Sequence, residues 1–321
     1  MYNHVMSRHV TSTRRAVMAG LGAVVATGSV TTAAAAAESE WTVEPVETDS
    51  TLHDIVSADT GRFAVGDGGV LTTAGPDGWR TLRDGGPTGN GNDLYGASVT
   101  DDGERVWFVG ASGAIGEYVP ATDTLVDHSA PLDNTNNYND VAVTGEAGEA
   151  NVYVAGDSGK IYYSFENGEE ATWEYVTPGS GSGLPAIDFH GPRSGHAIDT
   201  NGRVFATDDG VTWTAIGIED ANVTFYGLDS DASDDIAVSG GNGAVLTYDS
   251  ANWTPDALGD ADLVDIETDG ESGYVVGSGG VVQELTSDDR FVLDTPTGEN
   301  LNAVDVDGDA VVGSSGIVLR R

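Results

Sequence analysis

The chain has 321 residues, of which 52 are acidic and 13 basic, giving a formal net charge of −39; it holds 45 glycines and no cysteine. With no cysteine, disulfides, thiolate metal sites and a lipid anchor on an N-terminal cysteine are excluded. With no basic stripe, the electrostatic footprint of a nucleic-acid-binding protein is missing as well.

Residues 1–37 contain no Asp or Glu. Arg14-Arg15 precedes Ala16-Val17-Met18, an apolar run from Ala19 to Val30, and the small-residue tract Ala33 to Ala37. A positive start, an apolar middle and a small-residue end are the marks of an export signal. The paired arginines resemble the twin-arginine type, which exports folded proteins. The apolar run is short and Ala/Gly-rich for a span of ~20 residues. Cleavage near Ala37 and an extracellular protein, with no stable membrane insertion afterwards, are therefore expected.

From residue 38 onward one pattern repeats. A tight Gly-x-x-Gly turn between apolar runs occurs at Gly66 to Gly69, Gly110 to Gly113, Gly156 to Gly159, Gly240 to Gly243, Gly277 to Gly280 and Gly313 to Gly316. A seventh, Asp199 to Gly202, has Asp at the first position. Glycine supplies positive φ for such hairpins. Two residues past each second glycine stands an aliphatic side chain: Leu71, Ile115, Ile161, Val204, Val245, Val282 and Val318. That regularity predicts a buried strand position.

A second unit precedes each turn, beginning at Leu52, Leu94, Tyr138, Leu184, Phe225, Leu263 and Leu301. A third follows it, carrying Trp79, Trp173, Trp213, Trp253 or Phe291, with Leu125 as the weak copy. Repeats of this length mark a propeller or a solenoid. An inner strand, a two-stranded hairpin and an outer strand, seven times over, predict an all-β, seven-bladed β-propeller of four-stranded antiparallel blades. The blades fall near 52–82, 94–128, 138–176, 184–216, 225–255, 263–293 and 301–320. The last lacks its outer strand, and residues 41–46, beginning at Trp41, are a strand without a blade. Pairing them closes the ring and removes an open edge. The whole of 38–321 is then one domain.

Three of the 13 basic residues lie in the signal, so the remainder carries ten against 52 acids, a net charge of about −42. Self-repulsion of that size opposes a compact fold in dilute buffer. At molar salt the Debye length falls to ~3 Å. The acids are spread over every repeat, which points to salt adaptation in a halophile. Asp305-x-Asp307-Gly-Asp309 and Asp229-x-Asp231-x-x-Asp234 resemble pieces of calcium loops without the terminal Glu. In so acidic a chain they read as chance spacing. No His pair has zinc spacing, and neither metal nor cofactor is expected.

The second inner-strand position carries His53, Tyr95, Asn139, Pro185, Tyr226, Val264 and Asn302. Inner strands surround the central channel, so these side chains should ring one mouth. Among them His53, Tyr95, Asn139, Tyr226 and Asn302 have the polar and aromatic mix of a ligand or partner surface. At the next position Asp54, Asp140 and Asp265 recur, and a structural role binding turn amides of a neighbouring strand is expected.

The sequence Leu52-His-Asp-Ile55, Phe63-Ala-Val-Gly66, Gly69-Val-Leu-Thr-Thr73, Gly78-Trp79 resembles the repeat of the photosystem II assembly and stability factor family, which is a seven-bladed propeller. Thr207-Asp208-Asp209-Gly210-Val211-Thr212-Trp213 is similar to the Asp-box of neuraminidase-type propellers, with Ala206 where the leading Ser belongs. Thr247 to Trp253 is a degraded copy. The Asp-box resemblance implies a folding role: Asp208 on turn amides, Gly210 at the turn and Trp213 packed between blades. The assembly-factor resemblance implies an arginine cluster on one face, and a sialidase would need three arginines around a carboxylate. The arginines present, among them Arg62, Arg193 and Arg203, do not occupy the inner-strand ring. The expectation is a monomeric, non-catalytic module binding a protein or another extracellular ligand. The alternative is an exo-acting glycoside hydrolase or lyase, with Tyr95 or Tyr226 as nucleophile.

Overall fold

A computed structural model describes residues 41–218, 221–269, 272–286, 290–307 and 309–321; the expected export segment lies outside them. The strands form seven four-stranded sheets, each antiparallel. Blade 1 runs Leu52–Ala58, Gly61–Gly66, Val70–Gly75 and Gly78–Arg83. The inner strands of blades 2 to 7 are Leu94–Val99, Tyr138–Thr144, Ala186–Phe189, Phe225–Ala232, Leu263–Thr268 and Leu301–Asp305. The predicted all-β propeller of seven blades is the observed one.

The turns between the second and third strands work differently from the sequence reading. Only the second glycine of the pair takes positive φ, for example Gly113 at +76°. The first, Gly110, is extended at φ −175°. It is glycine because a Cβ there would be driven into the carbonyl oxygen of Asp93, the residue just before its own inner strand. That carbonyl accepts the amide of Ala111 at 2.8 Å. The same bond recurs in all seven blades, from Asp67 to Thr51 in the first through Ser314 to Asn300 in the last. The turn is thus latched to the base of its own inner strand.

Packing explains the aliphatic position after each turn: Leu71, Ile115, Ile161, Val204, Val245, Val282 and Val318 are all buried. The buried side chains fall into seven clusters, each shared by two neighbouring blades. A single blade is too thin to bury both faces alone, so stability comes from the junctions. Trp79 and Trp173 join these clusters. Phe291 does not: it is 48% exposed, unlike Trp79 and Trp173 in the outer segments of blades 1 and 3.

Closure follows the expected route. Thr42–Val43 pairs antiparallel with Val318–Arg320, with Thr42 opposite Arg320 and Val43 opposite Leu319. Trp41 is buried in the blade 6/7 cluster and meets Tyr274 edge-on at 5.5 Å. The segment then continues past the last blade. Trp79 N donates to Pro45 O at 2.7 Å and Glu47 N to Trp79 O at 3.0 Å, so the strap also engages the outer strand of blade 1.

Candidate functional site

Inner strands alternate their side chains across the sheet, so positions two apart share a face. The second positions of all seven blades line one cavity of about 240 Å³ at a mouth of the channel. The residues predicted to meet there, His53, Tyr95, Asn139, Tyr226 and Asn302, do meet. They are not equivalent. Asn139 donates to Leu184 O at 3.0 Å and to Asp157 Oδ1 at 3.0 Å, and Asn302 donates to Leu52 O at 2.8 Å. Both tie one blade to the next. His53 Nε2 pairs with Asp67 Oδ1 at 2.7 Å, and its ring meets Tyr95 edge-on at 5.4 Å. Tyr95 and Tyr226 keep their rings in the mouth. Burial raises the pKa of the Tyr95 hydroxyl, and the charges of Asp93, Asp67 and Asp157 raise it further.

Beneath the mouth the channel is lined with carboxylates. Asp54 Oδ2 accepts the amide of Ala97 in blade 2 at 2.6 Å, Asp140 that of Ile187 in blade 4 at 2.8 Å, and Asp265 that of Val304 in blade 7 at 2.9 Å. Each reaches the next blade in a structural role, but the amides it binds belong to the inner strand itself and not to a turn. The sequence reading missed the second tier, two residues further along. There Ser98 Oγ accepts from Val143 N, Asp188 from Ser230 N, Asp229 from Thr268 Oγ1, Glu267 from Val306 N and Asp305 from Ser57 Oγ. The two tiers together bridge all seven blade junctions around the channel. The period-two alternation of the inner strands was the signal that could have found them. Asp229 and Asp305, which resembled calcium ligands, are junction residues. Among the described residues no group of three or more His, Asp or Glu is disposed to hold a metal.

The lower part of the channel opens into a second cavity, of about 310 Å³, sharing Asp54, Asp140 and Asp265 with the first. Burial dominates the electrostatics there. It pushes Asp140 up to about 7, and Asp188 and Asp265 up to about 6. Asp54, Asp229 and Glu267 are also raised well above the usual carboxylate range by burial, with neighbouring carboxylates adding to it. Outside the channel wall, His190 and His196 both aim Nδ1 at Ser230 Oγ, at 3.0 and 2.7 Å. One hydroxyl can donate only once, so one ring accepts and the other donates. Burial lowers His196 to about 4.

The turn that resembles an Asp-box needs one correction. Asp208 is exposed, and the turn amides of Val211 and Thr212 are bound by Asp209 Oδ1 at 2.8 and 2.6 Å. In the degraded copy Asp249 Oδ1 does the same for Ala251 and Asn252. In both, the working Asp stands four residues before the Trp. Gly210 has φ +74°, as the turn requires. Trp213 is half-buried, edge-on to Phe189 at 6.0 Å.

The arginines that a sialidase would gather are scattered. Arg62 lies near Glu44, Arg193 packs over Phe165, and Arg203 lines a different cavity with Thr200 and Asn201.

No family profile matches the chain, and no curated protein does. Solved structures do. "YCF48 from Cyanidioschyzon merolae" superposes with a TM-score of 0.67 at 16% identity, covering 87% of this chain and 97% of that one. The similarity is one of fold. "YCF48 bound to D1 peptide" gives 0.69 at 15%, covering 87% and 96%. Virginiamycin B lyase from Staphylococcus aureus gives 0.72 at 13%, covering 87% and 98%. The same architecture thus occurs in a propeller bound to a peptide and in a lyase, and fold alone does not choose between them.

Proposed function

We propose that the protein is an exported, salt-adapted, non-catalytic propeller that binds a protein partner at the channel mouth. The observation that carries this is the convergence of His53, Tyr95 and Tyr226 on one shallow cavity, framed by residues whose bonds serve the scaffold. Aromatic side chains of this kind dominate binding hot spots. The acidic side chains around them are held by backbone amides, an arrangement suited to building blades. One of the superposed propellers is described as bound to a peptide, which fits a binding role for such a scaffold. The acid-free start with its Arg14-Arg15 pair supports export, and the charge of −39 supports folding in molar salt.

The test is affinity capture in molar salt with the exported protein and with a His53→Ala, Tyr95→Ala, Tyr226→Ala variant as baits. A partner retained by the first and lost from the second is the expected result. Equal retention by both baits removes the mouth from the reading. The enzyme alternative requires turnover of a glycoside or a lyase substrate that disappears when Tyr95 or Tyr226 is replaced.

A further inference from the structure

We propose that the mouth seats a single cationic side chain, lysine or arginine, presented by the partner. This rests on the reading of the mouth as a binding surface and specifies what enters it. Size comes first. Small-molecule pockets usually hold ~300–1,000 Å³, and this cavity, at about 240 Å³, is smaller. It has room for one side chain rather than a whole metabolite.

The walls come next. Tyr95 and Tyr226 present aromatic rings, and among the described residues neither hydroxyl has a hydrogen-bond partner within the protein. His53 is fixed edge-on to Tyr95 by its bond to Asp67. Ring faces attract a cation placed over them, and the attraction grows as water is excluded.

The floor decides the sign. Asp54, Asp140 and Asp265 line the base of the cavity, and among the described residues no Lys or Arg does. The negative potential of Asp93, Asp67 and Asp157 already resists ionisation of Tyr95. The charges of Asp67, Asp93 and Asp157 repel an anionic side chain there, and the floor carboxyls add to that field as they ionise. The floor oxygens each accept a backbone amide, so the cation is held by field and ring faces together, without capture by one carboxylate.

A linkage follows. Asp140 faces Asp54 and Asp265 from two other inner strands, Asp188 from the next, and His53 and Tyr95 at the mouth. A cation above it favours its charged form, so seating the cation expels a proton when the carboxyl starts out protonated. Affinity for a cationic probe therefore rises as pH goes from 6 to 8.

The probes are the blocked tripeptides acetyl-Gly-Arg-Gly-amide and acetyl-Gly-Lys-Gly-amide, with citrulline and Glu versions as neutral and anionic controls. Binding to the intact protein and to each variant is followed by NMR of the probes' own side-chain protons. The Arg and Lys probes should bind about tenfold more tightly than the citrulline probe. A Tyr95→Phe, Tyr226→Phe pair, which keeps the ring faces, should retain that preference, and Tyr95→Ala with Tyr226→Ala should abolish it. Equal binding of Arg and citrulline probes, or affinity independent of pH from 6 to 8, overturns the proposal. Either result leaves the mouth standing as a binding surface if the partner-capture comparison succeeds, so the two failures are told apart.

Discussion

The indole nitrogen of Trp79 donates to Glu44 Oε2 at 2.7 Å, joining the strap that closes blade 7 to the outer strand of blade 1. Glu44 also lies 3.8 Å from Arg62 and 3.5 Å from Arg320, and Arg62 sits over the Trp79 ring at 5.6 Å. Ring closure therefore does not depend on the two-residue strand alone. Glu44→Ala leaves the Trp79 donor buried without its acceptor, which costs about 1–3 kcal/mol. Glu44→Gln keeps an acceptor and should recover part of that loss. Trp41→Ala removes a fully buried indole and should cost more, about 3–5 kcal/mol. Denaturant unfolding at fixed molar salt checks all three; a Glu44→Ala midpoint equal to the parent's would show that the strap contributes nothing.

Gly110 and Gly298 make a paired test of why glycine is needed. A Cβ at Gly110 has no room against Asp93 O, whereas around Gly298, which lacks positive φ, nothing lies within 4 Å. Gly110→Ala must move the base of the blade 2 inner strand and should cost at least the 1–3 kcal/mol typical of overpacking. Gly298→Ala should be neutral or stabilising by up to ~1 kcal/mol through the unfolded chain. The thermal midpoints of the two variants should move apart; a shared shift would mean that the close approach of Gly110 to Asp93 O does not set the requirement.

The repeat, the blade count, the closure and the ring at the mouth were legible because each rests on spacing, which a sequence displays directly. The first-glycine contact was not, because Gly66 and Gly69 look alike in sequence and differ only in what lies beside them. The second tier of junction carboxylates was hidden by composition: in a chain with 52 acids, Asp188 or Glu267 does not stand out until its amide partner is seen. The Asp-box erred for a similar reason. Asp208 and Asp209 are adjacent and chemically identical, and only the turn geometry selects Asp209.

That selection is itself testable. Asp209→Ala deletes the acceptor of two turn amides, and a measurable loss of stability is expected, as for other local caps. Asp208→Ala, at an exposed side chain, should stay within ~0.5 kcal/mol of the parent. The Asp209 carboxyl is held down to about 2 by those amides. Its carbon chemical shift should therefore stay at the ionised value to lower pH than other surface carboxylates. Reversal of the two stability effects would restore Asp208 as the turn residue.

The channel makes stability fall with rising pH across a window that most proteins cross unchanged. The fold favours the protonated forms of Asp140, up to about 7, and of Asp188 and Asp265, up to about 6. Their ordinary value is 3.8, so between pH ~4 and ~7 the folded chain holds more protons than the unfolded one. Stability then decreases as pH rises, by about 1.4 kcal/mol per pH unit for each whole proton held differentially. His196 works against this at the acid end. Burial lowers it from 6.5 to about 4, so the folded chain holds fewer protons on it in that range, and its contribution grows as pH rises to 6.5. Above 6.5 His196 is neutral in both states and the carboxylates act alone. Denaturant unfolding at constant ionic strength should show a loss between pH 6.5 and 8. Asp140→Asn removes one titrating group and should flatten that slope, although the single amide oxygen cannot serve both Val141 N and Ile187 N and lowers stability at every pH. His196→Gln removes the opposing group and should make stability fall more steeply from pH 5 to 6.5. A parent profile that instead climbs from pH 6.5 to 8 would mean that the channel carboxylates are ionised throughout.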